Sequence, residues 1–283
     1  MDSRKLQENV FKVLAAAAAL LILLILVLIL GTIIAKGLPA LSLSMLTRTP
    51  QGGYYLGREG GILNAITGSL CLAGGATLLA LALSLPIVFY LNVYARKRSR
   101  LVSFTRFSLD VLWGVPSIVY GAFGFTIMLF FGLKASLLGG IIAVALLVLP
   151  IMSRAMDEVV RMVPDELFEA SYALGSTRLE TAFRVVVRQA LPGILTAVLI
   201  AFGRGIGDAA SVLFTAGFTD SVPTSLMQPV ATLPLAVFFQ LATPFPEVQA
   251  RAYASALVLT VIILVISLVS RLLTRRFTKH VVR

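Results

Sequence analysis

Six stretches of this chain are mostly apolar over about 20 residues or more, the length a helix needs to cross the hydrocarbon core of a bilayer. They fall at about 13–35, 62–94, 107–132, 135–155, 193–218 and 252–274. None alternates polar and apolar positions as a barrel strand does. Backbone in lipid must satisfy its own hydrogen bonds, so the pattern predicts helices. The first stretch is nearly pure Ala, Leu and Ile, and its apolar core of about 22 residues is longer than that of a secretory leader. It is therefore expected to be a retained anchor. The second is expected to be broken at Gly74-Gly75 and Pro86, and the third is interrupted by Pro116. The fourth carries Pro150 near its end, and the fifth is rich in glycine.

The segments between the stretches set an orientation. Arg4, Lys5 and Lys12 precede the first stretch, and Arg96, Lys97, Arg98, Arg100 and Arg106 follow the second. Arg154, Arg161, Arg178, Arg184 and Arg188 follow the fourth, and Arg271, Arg275, Arg276, Lys279 and Arg283 end the chain. The opposite side has only Lys36, Arg48, Arg58, Lys134 and Arg251. By the positive-inside rule the basic side is cytoplasmic, and an even number of spans returns both termini to it. The expected divisions are a cytoplasmic segment 1–12, the anchor 13–35, a membrane domain 60–275 and a basic tail 276–283.

Composition agrees with a polytopic membrane protein. Hydrophobic types make up 58% and charged types 13%, against about 25% charged in a soluble domain. The net charge of +11 is accounted for by the cytoplasmic loops, so no nucleic-acid partner is expected. One cysteine (Cys71) and one histidine (His280) allow no intrachain disulfide and no multi-ligand Cys/His zinc site. The chain carries no G-x-x-x-x-G-K-[ST] phosphate cradle, no HExxH and no Ser/His/Asp set. Catalysis by this chain is not expected, nor a cofactor of its own.

One cytoplasmic loop, about 156–192, is too polar to span and too regular to be a linker. Pro164-Asp165-Glu166 starts a helix, since Pro suits a first turn and acids suit its dipole. Gly175 is placed to end that helix. Leu179, Ala182, Phe183, Val186 and Val187 mark a second helix over about 177–189, closed by Leu191-Pro192-Gly193 before the fifth span. Two readings follow: a folded loop packed on its own helix ends, or a docking element for a soluble partner.

The stretch EASYALGSTRLETAFRVVVRQALPGI, residues 169–194, resembles the EAA loop of ABC importer permeases. Glu169, Ala170, Gly175 and Leu191-Pro192 carry the match, with Ser171 where a second Ala is usual. GGILNAITGSL (60–70), DVLWGVPSIVYG (110–121) and GRGIGDAASVLFTAGF (203–218) are similar to the permeases of high-affinity (Pst-type) phosphate importers. Chain length and the single amino-terminal anchor favour the A-type subunit over the longer C-type. Asp208 stands where that family has Glu followed by Thr, and Ser69 where it has Thr. The resemblance implies an all-α, type I importer-like fold in the bacterial inner membrane. It further implies a sister permease, an ATPase dimer that uses ATP and Mg, an extracytoplasmic binding protein, and alternating access for phosphate. A permease for molybdate, sulfate or an amino acid shares the same loop, and a secondary transporter is the alternative of another class.

Within the fifth stretch, Arg204 lies near mid-bilayer, where a cation costs about 2.5–3.5 kcal/mol on insertion scales. Asp208, four residues on, can pair with it. Such a pair either locks helices together or, through its guanidinium, attracts an anion. Ser117 follows Pro116, where local unwinding would expose backbone and hydroxyl, or where the hydroxyl simply bonds its own helix. Thr67 and Ser69, with Asn64, are either polar lining or helix glue. Arg106 and Asp110 are expected to pair with each other at the surface. The Pro-rich outer segment 219–250 is expected to dip into the interface or to close an outer gate.

Overall fold

The computed structural model describes residues 3–51, 59–95 and 99–277, which are mostly helical. The basic residues 96–98 and the tail 278–283, with His280, lie outside the described residues. Helix α1 (Ser3–Gly37) is followed by a short α2 (Leu43–Thr47) and a hairpin of two-residue strands. Strands β1 (Pro50–Gln51) and β2 (Glu59–Gly60) pair antiparallel. Next come α3 (Leu63–Phe89), which runs into a π-helical turn at Tyr90–Tyr94, and α4 (Arg100–Trp113). They are followed by α5 (Ser117–Phe130), α6 (Leu137–Arg161), α7 (Asp165–Ala173) and a single turn α8 (Arg178–Glu180). A second π-helical segment, Thr181–Val186, leads into α9 (Val187–Ile206). Helices α10 (Leu233–Leu241) and α11 (Pro246–Phe277) complete the described chain.

The core lies where α3, α6 and α9 meet. Leu72, Val144, Val148, Met152, Met156 and Val186 are fully buried there. Small residues set the spacing: a Cβ on Gly193 would lie 2.3 Å from a Val159 methyl, so α9 and α6 touch backbone to side chain. Ser153 donates to Ser84 at 2.9 Å, tying α6 to α3 inside that core. By contrast α1 is exposed along most of its length and meets the bundle at α11. There Gly37 abuts the Tyr253 backbone and Lys36 sits over the Tyr253 ring.

Among the described residues, five helices are long and apolar enough to span, Gln7–Gly37, Leu63–Tyr94, Leu137–Arg161, Arg178–Ile206 and Pro246–Leu272, and the bent pair α4–α5 makes a sixth if counted as one span. Two sequence expectations are corrected. The second span is not broken at Gly74-Gly75 or Pro86: α3 runs through all three, because only one donor is lost at Pro86 and both flanks are packed. The third is interrupted at Pro116 as expected: α4 and α5 meet at 100° across Gly114-Val115-Pro116. The fifth does not begin after a closed loop; it starts at Arg178, passes through Pro192 and ends at Ile206. Residues 207–218 are turns and irregular chain, not helix.

Candidate functional site

The elbow is formed by α7, Gly175 and the start of the long fifth span. Gly175 has φ +79°, a backbone conformation that costs an L-residue about 1–2 kcal/mol, and open space where a Cβ would point. Its N–H donates to the Tyr172 carbonyl at 2.9 Å, and Ser176 N–H donates to Ser171 O at 3.2 Å, satisfying the end of α7. Thr177 caps the next helix. Its Oγ1 accepts from Glu180 N–H, while the Glu180 carboxylate accepts from Thr177 N–H at 2.9 Å. Ser171 and Thr181 hydroxyls bond at 2.8 Å in a buried contact, pinning the two arms together. The small-residue departure at Ser171 thus has a structural use that an alanine would not serve.

The elbow is also tied to the bundle. Arg178 Nη1 donates to the Tyr94 carbonyl at 3.0 Å, and the Phe183 ring meets Phe89 edge-on at 5.3 Å. Its outer face stays open. Glu169, Ala170 and Gly175 are exposed, and Leu174 at the tip is 87% exposed beside the exposed Leu179. Leu191 is half-buried and Pro192 buried, so these two belong to the rod and not to the exposed face of the elbow. The second arm and the fifth span are one helix of 29 residues, Arg178–Ile206. At 1.5 Å per residue that is a rod of about 43 Å.

Arg204 sits at the other end of this rod. Its Nη1 donates to Asp208 Oδ1 at 2.9 Å. The side chain of Arg204 is 44% exposed, whereas that of Asp208 is only 3% exposed. Asp208 Oδ2 accepts from Ser211 N–H at 2.8 Å and from Ser211 Oγ at 2.5 Å. The carboxylate therefore clasps the turn after α9, and the guanidinium keeps an open face beside Gly203 and Gly207. The turn is packed tightly: a Cβ on Gly121 of α5 would lie 2.7 Å from the Ser211 carbonyl.

The other polar candidates separate. Ser117 opens α5 and is half-buried. Thr67 is half-buried and donates within its own helix, to Leu63 O at 2.8 Å. Ser69 is fully buried and its Oγ accepts from Leu233 N–H at 2.8 Å, holding the start of α10. Beside it, a Cβ on Gly68 would fall 2.0 Å from the Ala231 carbonyl. Asn64 Nδ2 donates to the Thr219 carbonyl at 2.7 Å. So Ser69 and Asn64 hold the returning segment 219–233 against α3. Within the outer segment 219–250, residues 230–236 are buried in the bundle.

A buried ionic node went unforeseen. Asp157 on α6 is fully buried and accepts from Arg106 Nε at 2.8 Å, Arg106 Nη2 at 3.0 Å and Asn92 Nδ2 at 2.7 Å. Arg154 adds a contact to Asp157 at 3.2 Å and binds Asp110 at 2.6 Å. The expected Arg106–Asp110 surface pair is therefore replaced by two pairs that reach from α4 to α6, because α4 turns its charged side onto α6. A cavity of about 250 Å³ opens beside the node, lined in part by Asn92, Arg106, Arg161 and Asp165. The available signal was an acid on the same face of the apolar α6 as Ser153, Met156 and Val160.

Residues 82–283 match the family model described as the binding-protein-dependent transport system inner membrane component. The chain belongs to this family of ABC importer permeases. It is a multi-pass inner-membrane transport subunit. It is 35% identical to the phosphate transport system permease protein PstA of Yersinia pestis, over 91% of this chain and 86% of that one. It is 35% identical to PstA of Haemophilus influenzae, over 82% and 81%. The fold is shared with a chain of the inward-facing MetNI methionine ABC transporter (TM-score 0.62, 16% identity, 76% of this chain and 95% of that one). It is also shared with a chain of a bacterial ABC transporter involved in import of the acidic polysaccharide alginate (TM-score 0.60, 14% identity, 96% and 99%).

Proposed function

We propose that this chain is the A-type permease of an importer that moves inorganic phosphate by alternating access. What carries the reading is one juxtaposition: a rod with an exposed coupling elbow at one end and an open guanidinium at the other, in a chain about 35% identical to PstA proteins. Phosphate suits an arginine, whose planar fork of donors matches two phosphate oxygens. In this reading the elbow end is cytoplasmic, as the basic loops favour, and both termini lie on that side. Glu169, Ala170 and Gly175 face a groove of a separate ATPase dimer, which binds and hydrolyses ATP with Mg. Leu174 gives that contact an apolar tip. A sister permease completes the path, and an extracytoplasmic binding protein delivers phosphate to the far mouth.

Each turnover then has a simple division of labour. Closure of the ATPase dimer moves the elbow, and the rod carries the displacement to Arg204. Arg204 offsets anion charge along the path while Asp208, engaged with Ser211, keeps its backbone in place. The shared carboxylate limits how tightly the guanidinium holds an anion, which favours release. Labelled-phosphate uptake by vesicles holding the assembled importer tests the reading. ATP-dependent uptake is expected with the natural chain and at least a ten-fold loss with Arg204→Gln. Absence of ATP-dependent phosphate uptake would overturn the proposed substrate, and undiminished uptake with Arg204→Gln would remove Arg204 from the path.

A further inference from the structure

Helix α4 carries a second apolar face that the bundle does not cover. One side is welded to α6: Val102 and Leu109 are buried, Arg106 holds Asp157 and Asp110 holds Arg154. The other side presents Leu101, Phe104, Phe107 and Val111, with Phe104 66% and Phe107 64% exposed. Trp113, the chain's single tryptophan, is exposed at its end. A helix with apolar residues on two sides and a charged ridge between them needs a second apolar environment.

The geometry fixes where that environment lies. Helix α5 has 14 residues, about 21 Å, and so stops about 9 Å short of crossing a core of about 30 Å. There the chain turns through 100° into α4. On α6, Asp157 lies 20 residues past Leu137, about 30 Å, at the level of the core boundary. Helix α4 thus runs across the elbow end of the bundle at the depth where amphipathic interfacial helices lie, about 5–10 Å inside the headgroup boundary. Tryptophan is favoured at that level. The amino end of α4 starts with the exposed Arg100, directly after Arg96, Lys97 and Arg98 in the sequence.

We infer that α4 is a leaflet-bound helix whose apolar face lies among acyl chains and whose exposed Arg100 recognises the headgroups of anionic phospholipids. Since its opposite face grips Asp157 and Arg154, the leaflet braces the end of α6 from which α7 and the elbow hang. The inference rests on the cytoplasmic placement of the elbow end but not on the substrate.

The test uses the assembled importer with Phe104→benzoylphenylalanine, in phosphatidylcholine vesicles containing a known share of phosphatidylglycerol. Photolysis is expected to give phospholipid adducts, with phosphatidylglycerol enriched about two-fold or more over its bulk share. The change Arg100→Gln is expected to return the adducts to the bulk ratio. Adducts to another importer subunit would overturn the inference, showing that protein covers this face. Lipid adducts at the bulk ratio in the natural chain, or enrichment that survives the change, would overturn the headgroup recognition. The readout needs no phosphate, so a wrong substrate cannot mimic either failure.

Discussion

At the scale of single residues, the decisive comparison is between Asp208 and Arg204. The carboxylate spends three hydrogen bonds on structure, whereas the guanidinium gives one nitrogen to it and keeps an open face. Asp208→Ala should therefore act first on stability: it strands the buried Ser211 N–H, at about 1–3 kcal/mol, and a lower thermal unfolding midpoint of the assembled importer would show it. On the proposed path, Arg204→Lys should keep the pair with Asp208 but offer an anion no planar fork of donors, lowering uptake with little change in that midpoint. The buried node gives a stronger contrast. Asp157→Ala leaves Arg106 without its acid, while Arg154 keeps Asp110, and should cost about 3–5 kcal/mol. Asp110→Asn, at a half-exposed pair, should cost about 1 kcal/mol or less. The sequence displayed the charges but not their partners: Arg106 has an acid four residues along its own helix and a better one 51 residues away.

At the scale of elements, local signals told where the elbow bends but not how its second arm ends. Gly175 reads as a helix stop because its left-handed backbone is local chemistry, and the structure places it there. Pro192 also reads as a stop, yet the helix continues through it. One lost donor is outweighed when Gly193 sits against Val159 and Ala190, Ile194 and Ala197 are buried on both sides. The same tertiary advantage carries α3 through Pro86. At Gly114-Val115-Pro116 the packing favours the bend instead: Val115 packs against the core and Tyr120 Oη donates across the turn to the Leu112 carbonyl at 2.9 Å, while Gly114 stays exposed. These contrasts give two expectations. Gly175→Ala should cost about 1–2 kcal/mol locally and reduce uptake per ATP hydrolysed, with the smaller penalty of Gly175→Asn giving a milder defect. Replacing both Val198 and Leu199 by glycine should cost about 2 kcal/mol of helix and lower the same ratio while ATP hydrolysis continues.

At the scale of the whole molecule, the spans and the membrane class were legible because long apolar runs admit few alternatives. The helix-to-helix wiring was not, since it depends on contacts far apart in sequence. Ser69 illustrates this: nothing local says that its hydroxyl holds Leu233, which is 164 residues away. The assembled picture is a bundle in which the elbow's second arm and Arg204 belong to one continuous helix, Arg178–Ile206. The most direct test places spin labels at Leu179→Cys and Ile200→Cys, both exposed sites, in a Cys71→Ser background of the assembled importer. Their separation of 21 residues corresponds to about 31 Å of helix. If the rod transmits motion as one body, this distance keeps a single narrow distribution in the resting and ATP-bound states, while the Leu179-to-Leu264 distance shifts between them. A broadened or displaced distribution between the two rod labels on ATP binding would contradict the account.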